Sequence, residues 1–299
     1  MNIDLNDSKV STELALKIAQ DIDIYCKESM EGGFRNHLGG SLIGHKCSKY
    51  LWLVFRWTFK EDFDPRVLRL FDRGHREEDR FINYLEGIGC KVESFDTSKE
   101  ANENGEYPQF RISFCKGHFG GSLDGIVTLP ERYGIKEKVL AEYKTNGTGS
   151  AYNKLVASGM RLQKPIHFAQ TCTYGAAPEY DFSHVLYMNV NKNDDSLHIE
   201  MTKLDHDHGR RMVDKAERII FSQAAPHRIS NNPGYCECAY CAANSVCHKG
   251  AIPEKNCRSC KFASPVDNAE WHCGKWNNII PQDFIKEGCE KWHPITAKV

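Results

Sequence analysis

The stretch Gly120-Gly121-Ser122-Leu123-Asp124-Gly125-Ile126-Val127, followed by a turn-like segment and then Val139-Leu140-Ala141-Glu142-Tyr143-Lys144-Thr145, decides the reading of this chain. Both ends are short runs of apolar and β-branched residues bounded by Gly, Pro and charge clusters, which is strand chemistry. The two-residue period of a strand sets Glu142 and Lys144 on one face. Asp124, at the end of one strand, then meets a Glu and a Lys on its hairpin partner. Two carboxylates suit a hard cation, Mg²⁺ or Mn²⁺, with water and phosphate oxygens completing its shell. A neighbouring lysine can orient or deprotonate a water, or offset charge building on a phosphate. A solvated polar strand face would show the same tripeptide, so the rest of the chain has to decide between the two.

The chain has 299 residues, 40% of them hydrophobic and 26% charged, which is enough for one large globular domain and a small appendage. No apolar run is long enough for a transmembrane helix. Met1-Asn2-Ile3-Asp4-Leu5 has neither a basic leader nor an apolar core, so no secretory signal is expected there and the expected location is the cytoplasm. A net charge of −1 speaks against a protein that coats nucleic acid, while 39 Lys and Arg leave room for a local basic groove. The 13 cysteines are the anomaly of the composition. With no secretory signal, metal ligation is a better account of them than disulfides.

Residues 11–30 have helical spacing (Leu14, Ile18, Ile22, Tyr25), a glycine-rich loop follows, and Ser41 to Trp52 enters an aromatic-rich helix. The spacing predicts another helix from Val67 to about Ile88, with Val67, Leu70, Phe71, Phe81, Ile82 and Leu85 on its apolar face. At 100° per residue Glu78 falls inside that stripe, with Gly74 close by and His75 at its edge. A carboxylate there needs a partner. Either it bridges to Arg69, Arg73, Arg76 or Arg80, or it is a third acid beside the metal site. Phe110 to Phe114 alternates like a strand, Pro165 starts a helix carrying His167, Gln170 and Tyr174, His184 to Val190 reads as a strand and Asp205 to Phe221 as a helix.

Late in the chain Cys238-x-x-Cys241 is followed by Cys247, three thiols in want of a fourth, with Cys236 nearby and Cys47 far upstream. Beyond them lie Cys257-x-x-Cys260, Cys273 and Cys289, spaced for a small tetrahedral zinc site. Residues 251–299 have too few aliphatics for a core of their own, so a metal staple makes physical sense, with Trp271, Trp276 and Trp292 packed around it. Lys261, Lys275, Lys286 and Lys291 would let such a module touch DNA, and a purely structural role fits equally well.

Six ordered features together resemble the PD-(D/E)XK nuclease superfamily, in its RecB-like, iron–sulfur-containing branch. They are Cys47, the helix with His75 and Glu78, Asp124, Glu142-x-Lys144, Gln170-x-x-x-Tyr174 and Cys238-x₂-Cys241-x₅-Cys247. The resemblance implies a restriction-endonuclease-like α/β fold: a mixed sheet flanked by helices at 41–250, after an N-terminal helical segment at 1–40 and before a cysteine-rich, metal-bound module at 251–299. It further implies that Asp124, Glu142 and the Tyr143 carbonyl hold Mg²⁺ or Mn²⁺ with Glu78 or His75. Lys144 then orients the attacking water, and Gln170 and Tyr174 position the strand. Cys47, Cys238, Cys241 and Cys247 are the implied ligands of a 4Fe–4S cluster. Four thiolates accept Zn²⁺ as well, and an extra Cys236 and a Ser48-Lys49 pair where the branch often has Arg depart from its pattern.

The implied activity is metal-dependent DNA exonuclease, of the kind found in phage-type DNA processing, recombination or repair. DNA is the implied partner, beside which a single-strand annealing protein would be a natural associate, and a bacterial or phage-infected cytoplasm the setting. Two rivals stand: a structure-specific or single-strand endonuclease with the same site, and an inactive, metal-stapled binding module. No Walker-type phosphate loop occurs, so ATP consumption is not expected.

Overall fold

A computed structural model describes residues 6–30, 32–147 and 149–296. Met1–Leu5, and with them the reading that no secretory signal is present, lie outside the described residues, as do the outer ends of the 1–40 and 251–299 segments.

The helices are α1 (Ser8–Met30), α2 (Ser48–Phe55), α3 (Pro65–Gly87), α4 (Gly149–Gln163), α5 (Pro165–Gly175), α6 (His206–Phe221) and the short α7 (Cys236–Ala239), α8 (Asn244–His248) and α9 (Gln282–Ile285). The strands are β1 (Leu38–Gly39), β2 (Lys91–Glu93), β3 (Arg111–Phe114), β4 (Phe119–Ser122), β5 (Gly125–Thr128), β6 (Val139–Asn146), β7 (His184–Asn191), β8 (Leu197–Lys203), β9 (Ala263–Pro265), β10 (Trp271–Cys273) and β11 (Asn278–Ile279).

β2-β5-β6-β7-β8 form one sheet, in which β6 and β7 run parallel and every other pairing is antiparallel. Alternation along β6 explains the layers. Val139, Ala141 and Tyr143 pack with Phe81 and Leu85 of α3, while Leu140 faces Leu155, Met160, Phe168 and Cys172 of α4 and α5. The result is a mixed α/β arrangement with helices on both faces of the sheet. β6 and β7 are buried over nearly their whole length, as a parallel pair covered on both sides must be. The expected strand 110–114 is present, but in a second sheet, β1-β4-β3. Helix α4, with a break at Gly159 (φ 74°) where the Glu200 carboxylate caps Met160 N at 2.8 Å, and strand β8 have no counterpart in the sequence reading.

The third sheet, β11-β10-β9, has no core of its own. Trp271, Ala263, Ile280, Ile285 and Ile295 share one apolar cluster with Leu51, Trp52 and Phe55 of α2 and Ala216, Ile219 and Ile220 of α6. Trp271 is fully buried and Trp292 partly so, whereas Trp276 is more than half exposed and packs around nothing, because it sits in the turn between β10 and β11. Helix α1 lies along α3 and leaves Ile18, Ile22 and Tyr25, three of its expected apolar positions, exposed. Among the described residues no helix is long and apolar enough to cross a membrane.

Candidate active site

The hairpin β5–β6 pairs Gly125 with Ala141, so Asp124 arrives opposite Glu142. There Asp124 Oδ2 accepts the Tyr143 backbone N–H at 2.8 Å. Lys144 Nζ lies 3.5 Å from Asp124 Oδ2, forms an ion pair with Glu142 Oε1 and donates to the Tyr143 carbonyl at 2.9 Å. Glu142 is completely buried, and apart from its ion pair with Lys144 its carboxylate oxygens have no hydrogen-bond partner. Burial and the nearby Asp124 and Glu78 outweigh Lys144 and push the Glu142 carboxyl up to about 8. Burial and Asp124 likewise raise Glu78 to about 7. The same carboxylates hold the proton on Lys144 against the cost of its burial. Three acids gathered around one ammonium exceed what it can balance, and a buried carboxylate with that ammonium as its partner leaves room for a further cation. The donor set, all oxygen, fits Mg²⁺ or Mn²⁺.

Helix α3 brings two neighbouring glutamates to different tasks. Glu77, not Glu78, is the buried one; it is held by Arg80 at 3.1 Å and Arg73 at 3.7 Å. Glu78, half-buried, is left to the acidic site. Glu77 stands one turn before the buried Phe81, where Arg73 and Arg80 pair with it. His75 is exposed, and among the described residues nothing joins it to the carboxylates. The arginines weighed as bridging partners of Glu78 are engaged elsewhere: Arg69 with Asp23, Arg73 with the Lys192 carbonyl, Arg76 with Asp72 and Arg80 with Asp195.

On the other face, α5 presents Gln170 and Tyr174, both buried, where a surface pair would be exposed. Tyr174 bonds with Gln170, and burial beside Glu142 and Asp124 raises its hydroxyl pKa. Its ring lies flat against the backbone of Gly40 and Gly121, where any Cβ would overlap it. The register of β6 on β7 sets Tyr187 beside Glu142 and Asn189 beside Lys144. His167 Nδ1 meets Tyr187 Oη at 2.9 Å, and Asn189 Nδ2 donates to that same oxygen at 3.2 Å. Burial, with help from Lys144 and Lys164, pushes His167 down to about 3, so its ring is neutral at any ordinary pH. This His167–Tyr187–Asn189 chain was not singled out from sequence. Only the place of His167 one turn before Gln170 pointed to it.

Neither a protein-family model nor a curated protein matches the sequence. Among solved structures the chain is similar to a protein designated SSO0001, at 15% identity and a TM-score of 0.41, over 77% of this chain and 96% of that one. It is also similar to LHK-Exo, an alkaline exonuclease from Laribacter hongkongensis, at 15% identity and a TM-score of 0.40, over 65% and 89% of the two chains. A complex of LHK-Exo with dAMP gives 12% identity and a TM-score of 0.42, over 64% and 90%. Likeness this loose leaves the chemistry to the residues themselves.

The cysteines fall into two places. Cys47, Cys238, Cys241 and Cys247 line one cavity together with His45, Tyr50 and Arg228. Cys47 caps α2, its sulfur accepting the Tyr50 N–H at 3.4 Å. Lys49 is fully buried beside Cys47 and Cys247, and its Nζ has no hydrogen-bond partner. Cys236 is exposed and lines the neighbouring groove instead. Cys257, Cys260, Cys273 and Cys289 gather at one corner of the β9–β11 module. The Cys257–Cys260 turn closes with Cys260 N donating to Cys257 O at 3.1 Å, and Cys273 pairs with Ala263 just beyond it. Gly288, at φ 65°, presses on Asn256 and so brings Cys289 alongside Cys257. As placed, and among the described residues, no three His, Cys, Asp or Glu side chains converge on a single ion.

Proposed function

We propose that this chain is a metal-dependent nuclease that hydrolyses phosphodiester bonds in DNA, acting as an exonuclease. One observation carries the reading. Glu142 is completely buried with no partner for its oxygens beyond the protonated Lys144, in the company of Asp124 and Glu78. A structural salt bridge has no use for the two additional acids.

Asp124, Glu142 and Glu78 would hold Mg²⁺ or Mn²⁺, which when bound lowers the pKa of its water and draws charge from a phosphate oxygen. Lys144, fixed by the Tyr143 carbonyl and two carboxylates, keeps its proton and faces the charge that gathers on phosphorus-bound oxygen as water adds and the ester oxygen leaves. His75 would join only if its ring turned inward from its exposed position. The buried Gln170–Tyr174 pair, clamped by Gly40 and Gly121, supplies rigid donors at the edge of the site and limits its solvent.

We read the cavity lined by Cys47, Cys238, Cys241 and Cys247 as the seat of a 4Fe–4S cluster. A cluster is wider than an ion, so its ligands surround a space instead of meeting at a point, and the unsatisfied Lys49 ammonium suits an anionic group. We read Cys257, Cys260, Cys273 and Cys289 as a structural zinc site.

The test is anaerobically purified protein with linear and covalently closed circular DNA, Mg²⁺ or Mn²⁺, and Glu142→Ala alongside. Loss of linear DNA alone, abolished in the variant, is expected. Cutting of closed circles would make the enzyme an endonuclease, and no cleavage of either would make it a binding module.

A further inference from the structure

Tyr187 Oη is the hub of a polar chain on the α5 face of the central sheet. Asn189 Nδ2 donates to it at 3.2 Å, and His167 Nδ1 lies 2.9 Å from it. The tyrosine has one hydrogen and, among the described residues, no acceptor for it but His167. Nδ1 therefore accepts, and the proton of the uncharged ring stands on Nε2. Nε2 has no partner among the described residues, and it is not a sealed atom. One nitrogen of His167 is thus anchored inside the protein while the other holds out a donor of fixed direction.

The strand register says where that donor is. Tyr187 pairs with Glu142, and Asn189 with Lys144, so His167 is bonded into the row directly beside the acidic site. Lys164, at the N-cap of α5, donates from Nζ to Asn146 Oδ1 at 3.0 Å. Asn146 lies on the same face of β6 as Glu142 and Lys144. Lys164, His167 and Gln170 therefore follow at three-residue steps above the row Asn146, Lys144, Glu142. Each step advances about 4.5 Å along the helix, which makes the ladder about 9 Å long. A DNA strand carries a phosphate about every 3.4 Å of its axis, so the ladder has the length of about two to three phosphates. An ammonium, an imidazole N–H and an amide suit anionic oxygen and carry no base-reading pattern.

We propose that Lys164 and the His167 Nε2–H hold the DNA phosphate next to the scissile one, and that Tyr187 and Asn189 are positioning residues that turn the imidazole proton toward the strand. The proposal rests on the nuclease reading and deepens it, assigning the contact that sets the strand beyond the carboxylates. A donor without charge has a purpose in this position. A further cation beside Lys144 would oppose a metal ion at Asp124 and Glu142, whereas a neutral N–H binds the phosphate and leaves the field at the carboxylates alone.

The experiment measures kcat and KM on linear duplex DNA in Mg²⁺ for full-length wild type, His167→Asn, His167→Gln, Tyr187→Phe and Lys164→Met. A second duplex carries one uncharged methylphosphonate at the linkage beside the first one cut. Asn places its Oδ1 near the position of Nδ1, keeping the Tyr187 bond and losing the outer N–H. Gln reaches the position of Nε2 with an amide N–H. On ordinary DNA His167→Asn should raise KM about tenfold or more with kcat little changed, while His167→Gln stays within about threefold of wild type. Tyr187→Phe frees the ring and should raise KM in the same direction by less. The methylphosphonate should raise the wild-type KM by about the factor that His167→Asn does, and should add little to that variant, because both remove one contact. Lys164→Met should lower the slope of log KM against log salt by about one, and the His167 variants should leave it unchanged. If His167→Asn matches wild type while His167→Gln does not, His167 serves only as the partner of Tyr187 and the proposal is overturned. Wild type that cuts the methylphosphonate duplex as well as ordinary DNA overturns it too, whether or not the variants fold. Either result in an active protein leaves the nuclease reading standing, whereas wild type that cuts no DNA overturns both.

Discussion

Glu142→Gln should make the metal-free protein more stable while making it inactive. In the folded chain Glu142 titrates at about 8, against an ordinary 4.5. The folded-state value lies above the unfolded one, so the penalty is absent below about pH 4.5, grows as the pH rises and is complete above about pH 8. At pH 7, the distance from 4.5 at about 1.4 kcal/mol per pH unit sets an upper bound of roughly 3 kcal/mol. That figure already includes the attraction of Lys144; a buried amide carries its own desolvation cost, which brings the expected gain to about 1–2 kcal/mol. Lys144 is not stranded by the change, since Asp124 and the Tyr143 carbonyl still hold it. The assay is urea unfolding in magnesium-free buffer at pH 5 and pH 8. The two proteins should agree within about 0.5 kcal/mol at pH 5 and separate at pH 8 with the variant ahead. Added Mg²⁺ or Mn²⁺ should then raise the wild-type midpoint and leave the variant's nearly unchanged. A variant less stable than wild type at pH 8 without metal would refute the reasoning, because it would make Glu142 a structural partner of Lys144 and not an unneutralised charge.

Cleavage at limiting Mg²⁺ should strengthen as the pH rises through 7 to 8, because Glu78 and Glu142, raised to about 7 and about 8, must lose their protons to hold the ion; saturating metal should flatten the profile. Gly121→Ala places a methyl where the Tyr174 hydroxyl lies and should cost about 1–3 kcal/mol by thermal melting, with activity falling further than stability because Tyr174 must leave its seat. Cys236→Ser should keep the visible absorption of an anaerobically purified cluster, while Cys247→Ser should lose it; loss in both would place Cys236 among the ligands. Glu77→Ala removes a buried carboxylate that pairs Arg73 with Arg80 and should cost about 1 kcal/mol in chemical unfolding with cleavage retained by the folded fraction, in contrast to Glu78→Ala, which should abolish cleavage at little cost in stability.

The parts of the site that sequence disclosed were those governed by short-range periodicity. The two-residue alternation of β6 placed Glu142 and Lys144 together, and the four-residue step of α5 placed Gln170 above Tyr174. The same rule applied to α3 assigned the buried position to Glu78, but the neighbouring Glu77, one turn before Phe81 and paired with Arg73 and Arg80, took it. Tyr187 and Asn189 were illegible because only the parallel register of β6 on β7, set by a crossover through α4 and α5, brings them to Glu142 and Lys144. α4 was hidden by Gly149 and Gly159, which break the apolar pattern. β8 escaped because its exposed Leu197, Ile199 and Met201 form the outward face of an edge strand, not a core stripe. The burial of Arg56 and Arg258 could not be read at all. A charged residue beside a cysteine is ordinarily taken for surface, and nothing local says that Trp271 will close over it.

The bond from Arg56 to the Ala263 carbonyl spans 207 positions of chain, and the aromatic cluster of α2 is completed by residues later still. At a synthesis rate of about 5–20 residues per second, α2 leaves the ribosome roughly 10–40 s before its partners do. For that interval Leu51, Trp52, Phe55 and Trp57 lack the part of their cover that Ala263 and Trp271 supply, although α6 and the central sheet with its carboxylates can already pack. The nascent chain is therefore a natural client for a chaperone. A version of the protein stopped short of Trp271 should be recovered as an aggregate, not as a smaller nuclease. The carboxylates of β5 and β6 thus gather in a chain whose α2 cluster stays open until Trp271 has been made.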